Sequence, residues 1–94
     1  MSGAFWTTPA QSDLAAIDDY YAMRDVEFAD RVGREAIRAA NWLVQTPYAG
    51  EEVAPDHRRW RVPGTPYLLV YRLVEGGVEI LRVWHERQNW RAQL

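Results

Sequence analysis

Pro66–Trp90 reads PYLLVYRLVEGGVEILRVWHERQNW, two apolar runs on either side of Gly76-Gly77. A glycine pair between runs rich in β-branched and aromatic residues predicts an antiparallel β-hairpin. Leu69, Tyr71 and Leu73 alternate with Leu68, Val70 and Arg72, so both faces of the first run are largely apolar, as in a central strand. The second run ends abruptly in His85-Glu86-Arg87-Gln88-Asn89-Trp90. A buried strand thus carries an imidazole and a guanidinium to one end of a small sheet, chemistry that suits a phosphate or a partner carboxylate.

Upstream of the hairpin, Arg59–Val62 reads as a further strand, stopped by Pro63-Gly64. The polar stretch Glu51–His57 reads as a surface loop, and Thr46-Pro47-Tyr48-Ala49-Gly50 as a helix break. Before that break, Ala29, Val32, Ala36, Ala40 and Leu43 recur at helical spacing behind Asp25, an N-cap, and predict a helix to about Gln45. An earlier stripe, Ala10, Leu14, Ile17 and Tyr21, predicts a helix opened by Thr8 as N-cap, Pro9 and a capping-box Gln11, with Asp13, Asp18 and Asp19 facing out. Ala4–Thr7 is the opening strand. The order is β-α-α-β-β-β, an α+β layer architecture in which a strand and an antiparallel helical hairpin pack on a small antiparallel sheet. At 94 residues the chain forms a single domain spanning 1–94.

There is no cysteine, and two histidines, His57 and His85, show no metal-ligand spacing, so neither a disulfide framework nor a zinc site is predicted. The longest apolar runs are far short of the roughly 20 residues that span a bilayer, and no signal segment opens the chain. A soluble cytoplasmic protein without a cofactor is the expectation. All 11 basic residues are arginine. They divide unevenly: residues 1–56 hold ten acidic and four basic side chains, residues 57–94 three acidic and seven basic, so −6 and +4 sum to the net −2. A basic sheet behind an acidic helical face attracts an anion, either nucleic acid or an acidic partner segment.

His85 suits a general acid or base, or closes its strand by bonding to backbone. Arg72 and Arg87 suit a phosphate, or the carboxylates of a partner. Arg58, Arg59 and Arg61 interleave with Trp60 as in nucleic-acid binders, although alternation also simply buries Trp60. Trp84 reads as core, and Trp90 as an exposed aromatic contact for a partner.

Several landmarks together resemble the RelE/ParE superfamily, the toxin halves of bacterial type II toxin–antitoxin pairs. They are Trp6-Thr7, Thr8-Pro9-Ala10, Asp13-Leu14 with Ile17, Tyr21, Pro47 with Gly50, Arg59 with Arg61-Val62, Tyr67–Arg72, and Val83–Trp90. His85 and Arg87 stand one residue closer than in the family's pattern. One branch of that family cuts mRNA on the ribosome, and the other, ParE type, poisons DNA gyrase. The nuclease branch is typically strongly basic, with several lysines and a late tyrosine or histidine. Here lysine is absent, no tyrosine follows Tyr71, and the net charge is negative. The resemblance therefore implies a ParE-like toxin that arrests growth by trapping gyrase on cleaved DNA, in the manner of plasmid-stabilisation systems. The helical hairpin and C-terminal segment are its expected target surfaces. It further implies a cognate antitoxin that lays a helix and an extended tail on the toxin in a hetero-oligomer, with Arg59, Arg61, Arg72, Arg82, Arg87 and Trp90 as the antitoxin-binding residues. The alternative is a ribosome-dependent endoribonuclease with His85, Arg72 and Arg87 as its site. A third possibility is a binding module that retains antitoxin affinity alone.

Overall fold

The computed structural model describes residues 2–94. Strand β1 (Gly3–Trp6) leads into helix α1 (Thr8–Ala22) and helix α2 (Val26–Gln45), followed by β2 (Glu51–Ala54), β3 (His57–Arg61), β4 (Tyr67–Val74), β5 (Gly77–His85) and a single 3₁₀ turn, Trp90–Gln93. The strands form one sheet in the order β1-β5-β4-β3-β2. The α+β class and the helical hairpin stand as the sequence implied, with two differences in the sheet. Glu51–Ala54, expected as loop, is an edge strand on β3. Its charges disguised it: Glu51 and Glu52 lie opposite Arg59 and Arg58, and cross-strand ion pairing replaces apolar alternation. The sheet is mixed rather than antiparallel, because β1 runs parallel to β5, Gly3 beside Gly77 through Trp6 beside Ile80.

Helix α2 carries the main core. Ala29, Val32, Ala36, Ala39, Ala40 and Leu43 are buried along one face, and the Asp25 carboxylate caps the helix by accepting from the Phe28 N–H at 3.0 Å. Small residues on that face let the helix lie close to the sheet, against Tyr67, Leu69, Tyr71, Val78, Ile80 and Val83. The cap of helix α1 is Thr7, one residue before the expected Thr8. Thr7 accepts from the Ala10 N–H at 3.2 Å and donates to the Leu81 carbonyl at 2.9 Å, tying the helix start to β5. Gln11 donates to the Trp6 carbonyl instead of completing a capping box at Thr8.

The β4–β5 hairpin turns at Glu75-Gly76, and Gly77 already pairs with Val74. At Gly77, with φ of 151°, a Cβ would collide with the Gly3 carbonyl of β1, so only glycine admits the parallel strand there. Further along, the register slips between Val70–Arg82 and Tyr71–Ile80, leaving Leu81 as an extra residue, a β-bulge. The bulge reverses the faces of the rest of β5. Val78, Ile80 and Val83 point into the helix-side core, while Trp84 turns to the outer face with Leu68, Val70 and Trp90.

Tyr71, fully buried, holds the α2–β2 connection: its hydroxyl donates to the Pro47 carbonyl at 2.8 Å and accepts from the Gly50 N–H at 2.9 Å. Burial raises its pKa, so the hydroxyl stays neutral. Tyr71→Phe strands a buried donor and acceptor and is expected to lose about 1–3 kcal/mol, read by urea unfolding. A loss within error would mean that water replaces the hydroxyl.

Candidate functional site

Two surfaces stand out from the geometry. The first is the outer face of the sheet, remote from the helices. Cross-strand rows place Arg59, Val70 and Arg82 side by side, and next to them Arg61, Leu68 and Trp84. Arg72, two residues beyond Val70, lies on the same face toward the hairpin turn. A cleft of about 420 Å³ opens here, lined by Ala49, Glu51, Arg59, Trp60, Arg61, Leu68 and Glu86.

Four of these arginines already have carboxylate partners. Arg59 puts Nε and Nη2 on one Glu51 oxygen at 3.0 and 2.7 Å. Arg61 stands 3.7 Å from Glu86. Arg72 donates from Nε to Glu79 at 2.8 Å and lies 3.6 Å from Asp56. Arg82 forms a fork on Asp13 at 2.7 and 2.8 Å, and the same carboxylate accepts from the Val83 N–H at 2.9 Å. Hydrogen bonding to Glu79 and to Asp13, respectively, raises the pKa of Arg72 and Arg82. Asp13, expected to face solvent, is thus turned inward to close the β5 edge that β1 leaves uncovered. Arg87 differs: it is exposed and makes no ion pair among the described residues.

Trp90, expected as an exposed partner contact, is only 4% exposed. It lies on Leu68, Val70 and Trp84, with the Arg59 and Arg91 guanidinium groups over its ring at 5.2 and 4.5 Å. The bulge in β5 creates the apolar outer face that draws it in. Trp84 is buried as expected, and Trp60 is partly buried, stacked on Trp42 at 5.0 Å.

The residues of the nuclease alternative do not converge. His85 lies opposite Tyr67, whereas Arg72 is five residues further along β4, roughly 17 Å at the usual rise per residue. An odd number of steps also places them on opposite faces. The His85 ring is engaged locally: Nδ1 accepts from the Arg87 N–H at 3.0 Å, and the ring edge meets Tyr67 at 5.3 Å. Of the two roles weighed for His85, its contacts are those of a strand-closing residue.

The second surface lies on the helical hairpin, where a target surface was expected, but the groove within it was not foreseen. Between α1 and α2 runs an apolar groove of about 560 Å³ lined by Trp6, Leu14, Ile17, Ala29, Val32 and Ile37, with Gly33 and Asp18 among its other residues. Leu14, Ile17 and Tyr21 are half-buried rather than buried, which is the signal of a helix face left partly open. The stripe predicted the face but not the gap beside it. Among the described residues no cluster suited to a metal ion occurs, and no helix is long and apolar enough to cross a membrane.

A strand, a helical hairpin and a five-stranded mixed sheet with an arginine-lined outer face make the RelE/ParE-like α+β fold. Residues 4–90 match the family described as ParE toxin of type II toxin-antitoxin system, parDE, and the chain belongs to that family. It is similar to Toxin RelE2 of Caulobacter vibrioides, 33% identical over 85 residues that cover 90% of this chain and 96% of the relative. Among solved structures it is similar to the chromosomal ParDE toxin–antitoxin system from P. aeruginosa, with a TM-score of 0.77, 26% identity, and coverage of 90% of this chain and 96% of the other.

Proposed function

We propose that this toxin acts in the cytoplasm by inhibiting DNA gyrase, and that its antitoxin neutralises it by direct binding. The observation that carries the choice of target is the dispersal of the candidate nuclease residues. A scissile phosphate needs its acid–base group and its guanidinium clamp within hydrogen-bond reach of each other's ligand. His85 and Arg72 stand on opposite faces of the sheet, and Arg72 is committed to Glu79. With a net charge of −2 and no lysine, the chain also lacks the basic excess that docking on ribosomal RNA exploits.

The antitoxin is proposed to lay an amphipathic helix in the α1–α2 groove and an acidic tail across the outer face. There the tail carboxylates exchange with Glu51, Glu79 and Glu86 for Arg59, Arg72 and Arg61, while Arg87 offers a free charge. Arg82 is the least exchangeable of the set, since Asp13 also bonds the Val83 N–H. Arg87→Glu is therefore the informative reversal: it leaves every ion pair of the fold in place and is expected to weaken antitoxin binding roughly three- to tenfold, chiefly through slower association. Equal affinity at low ionic strength would remove Arg87 from the interface.

The RelE2 name of the curated relative favours keeping one second reading, an mRNA endoribonuclease in which His85 and Arg87 act without Arg72. Brief induction without antitoxin separates the two. An early fall in thymidine incorporation supports gyrase as target. An early fall in methionine incorporation, abolished by His85→Ala in a folded chain, supports the nuclease.

A further inference from the structure

Building on the reading that the antitoxin lays a helix in the α1–α2 groove, we propose that Gly33 is where that helix crosses α2 at backbone distance, and that its flanks are basic. Gly33 lies in the interior of α2, where glycine is the least favourable residue after proline. Nothing within the chain calls for it. The glycines with positive φ are Gly64, Gly76 and Gly77, so no turn requires glycine at position 33. At Gly50 and Gly77 a Cβ would strike the Arg59 and Gly3 carbonyls, respectively, and close packing demands glycine there. At Gly33, outside its own helix, no heavy atom among the described residues lies within 4 Å of the place a Cβ would take. Alanine would fit the free toxin and hold the helix better, so the space is kept for something outside the chain.

That space opens into the apolar groove of about 560 Å³, with Leu14 and Ile17 of α1 on the other wall. Ile37, one turn beyond Gly33, is 52% exposed. Asp30, Gly33 and Ile37 share one face of α2, since residues three and four apart are neighbours on a helix. Gly33 is thus a notch in that row, with an apolar side chain on one side of it and a carboxylate on the other. Helices pack by setting the ridges of one into the grooves of another, and a missing side chain lets the two axes approach most closely at that point.

Charge selects the occupant. Asp18 lines the groove from α1 and Asp30 stands on the α2 row, both exposed and without an ion pair among the described residues. The carboxylates around the outer face, Glu51, Glu79 and Glu86, are by contrast already paired with arginines. A helix that covers Asp18 and Asp30 with apolar side chains would strip water from unpaired charges, which is costly unless cations meet them. Arginine or lysine along both flanks of the helix supplies those cations. A second copy of this chain would bring its own Asp18 and Asp30 to the contact, and like charges there oppose it.

The test measures thermal unfolding of the full-length toxin alone and the kinetics of its binding to the purified cognate antitoxin. Gly33→Ala is expected to move the two in opposite senses. The midpoint of the free toxin rises by roughly 4–8 °C, from the helix preference of alanine over glycine. Antitoxin affinity falls on the order of tenfold through faster dissociation, because the added methyl overfills the crossing. Gly33→Leu should lose on the order of a hundredfold. Asp30→Lys should slow association roughly three- to tenfold at low ionic strength. Ile37→Asp, at an exposed position, reports separately whether a helix occupies the groove. If it weakens binding while Gly33→Ala and Gly33→Leu do not, the helix-in-groove reading stands and the crossing at Gly33 is overturned. Unchanged affinity in all three overturns both. Faster association of Asp30→Lys overturns the basic flanks, and a dimer of the free toxin that Gly33→Leu splits would give the groove to a second copy instead.

Discussion

Trp90→Ala is expected to lower the unfolding free energy by about 2–4 kcal/mol. The substitution empties the outer-face cluster: Leu68, Val70 and Trp84 lose the ring that covers them, and Arg59 and Arg91 lose the π face beneath their guanidinium groups. The site is peripheral and can partly collapse, which sets the value toward the lower part of the range for tryptophan truncation. For a domain of this size each kcal/mol moves the midpoint by roughly 4–8 °C, so thermal unfolding should shift down by on the order of 10–20 °C. Phenylalanine at this position should restore most of the loss, because it refills the apolar volume. A shift of only a degree or two would mean that the ring is undocked in solution.

Asp13→Ala is expected to cost about 2–3 kcal/mol, the scale of hydrogen bonds to a charged group at a mostly buried position. One carboxylate there accepts the Arg82 fork and the Val83 N–H, and it is the bond by which α1 closes the free stretch of β5 beyond β1. Without it, Arg82 keeps only its contact over Trp84 and the edge amide faces solvent. Urea unfolding measures the loss. Amide exchange at Val83 separates it from a general weakening, since protection should fall there first. Arg82→Ala should reproduce part of the effect, and the double variant should cost less than the sum, as expected for two residues in contact. Strict additivity would show that the pair contributes nothing jointly.

Much of this architecture is written locally. Asp25 with the stripe from Ala29 to Leu43 marks α2 to within a residue, because the cap and the 3.6-residue period depend only on neighbours along the chain. The strands β4 and β5 are equally legible, since apolar runs around a glycine-containing turn admit few other pairings. Strand β2 was not legible: Glu51 and Glu52 become strand residues through arginines on β3, eight and six positions away in sequence. The candidate site was legible in composition and not in arrangement. Arg59, Arg61, Arg72 and Arg82 do share a face, but their intramolecular carboxylate partners come from α1, β2, β5 and the turns.

The sequence by itself determined the two helices, the strands other than β2, their order and the ParE-like family, because capping, periodicity and turn chemistry act over a few residues. Only the tertiary structure decided which way β5 faces beyond Ile80. Uninterrupted alternation would set Arg82 and Trp84 on the helix side with Val78 and Ile80, whereas the bulge at Leu81 turns Val83 inward and Trp84 outward. The carbonyls of Ile80 and Leu81 are held by Thr7, from the far end of the chain. That contact, with the burial of Trp90 and the separation of Arg72 from His85, follows from long-range packing, for which no short window of sequence carries a signal.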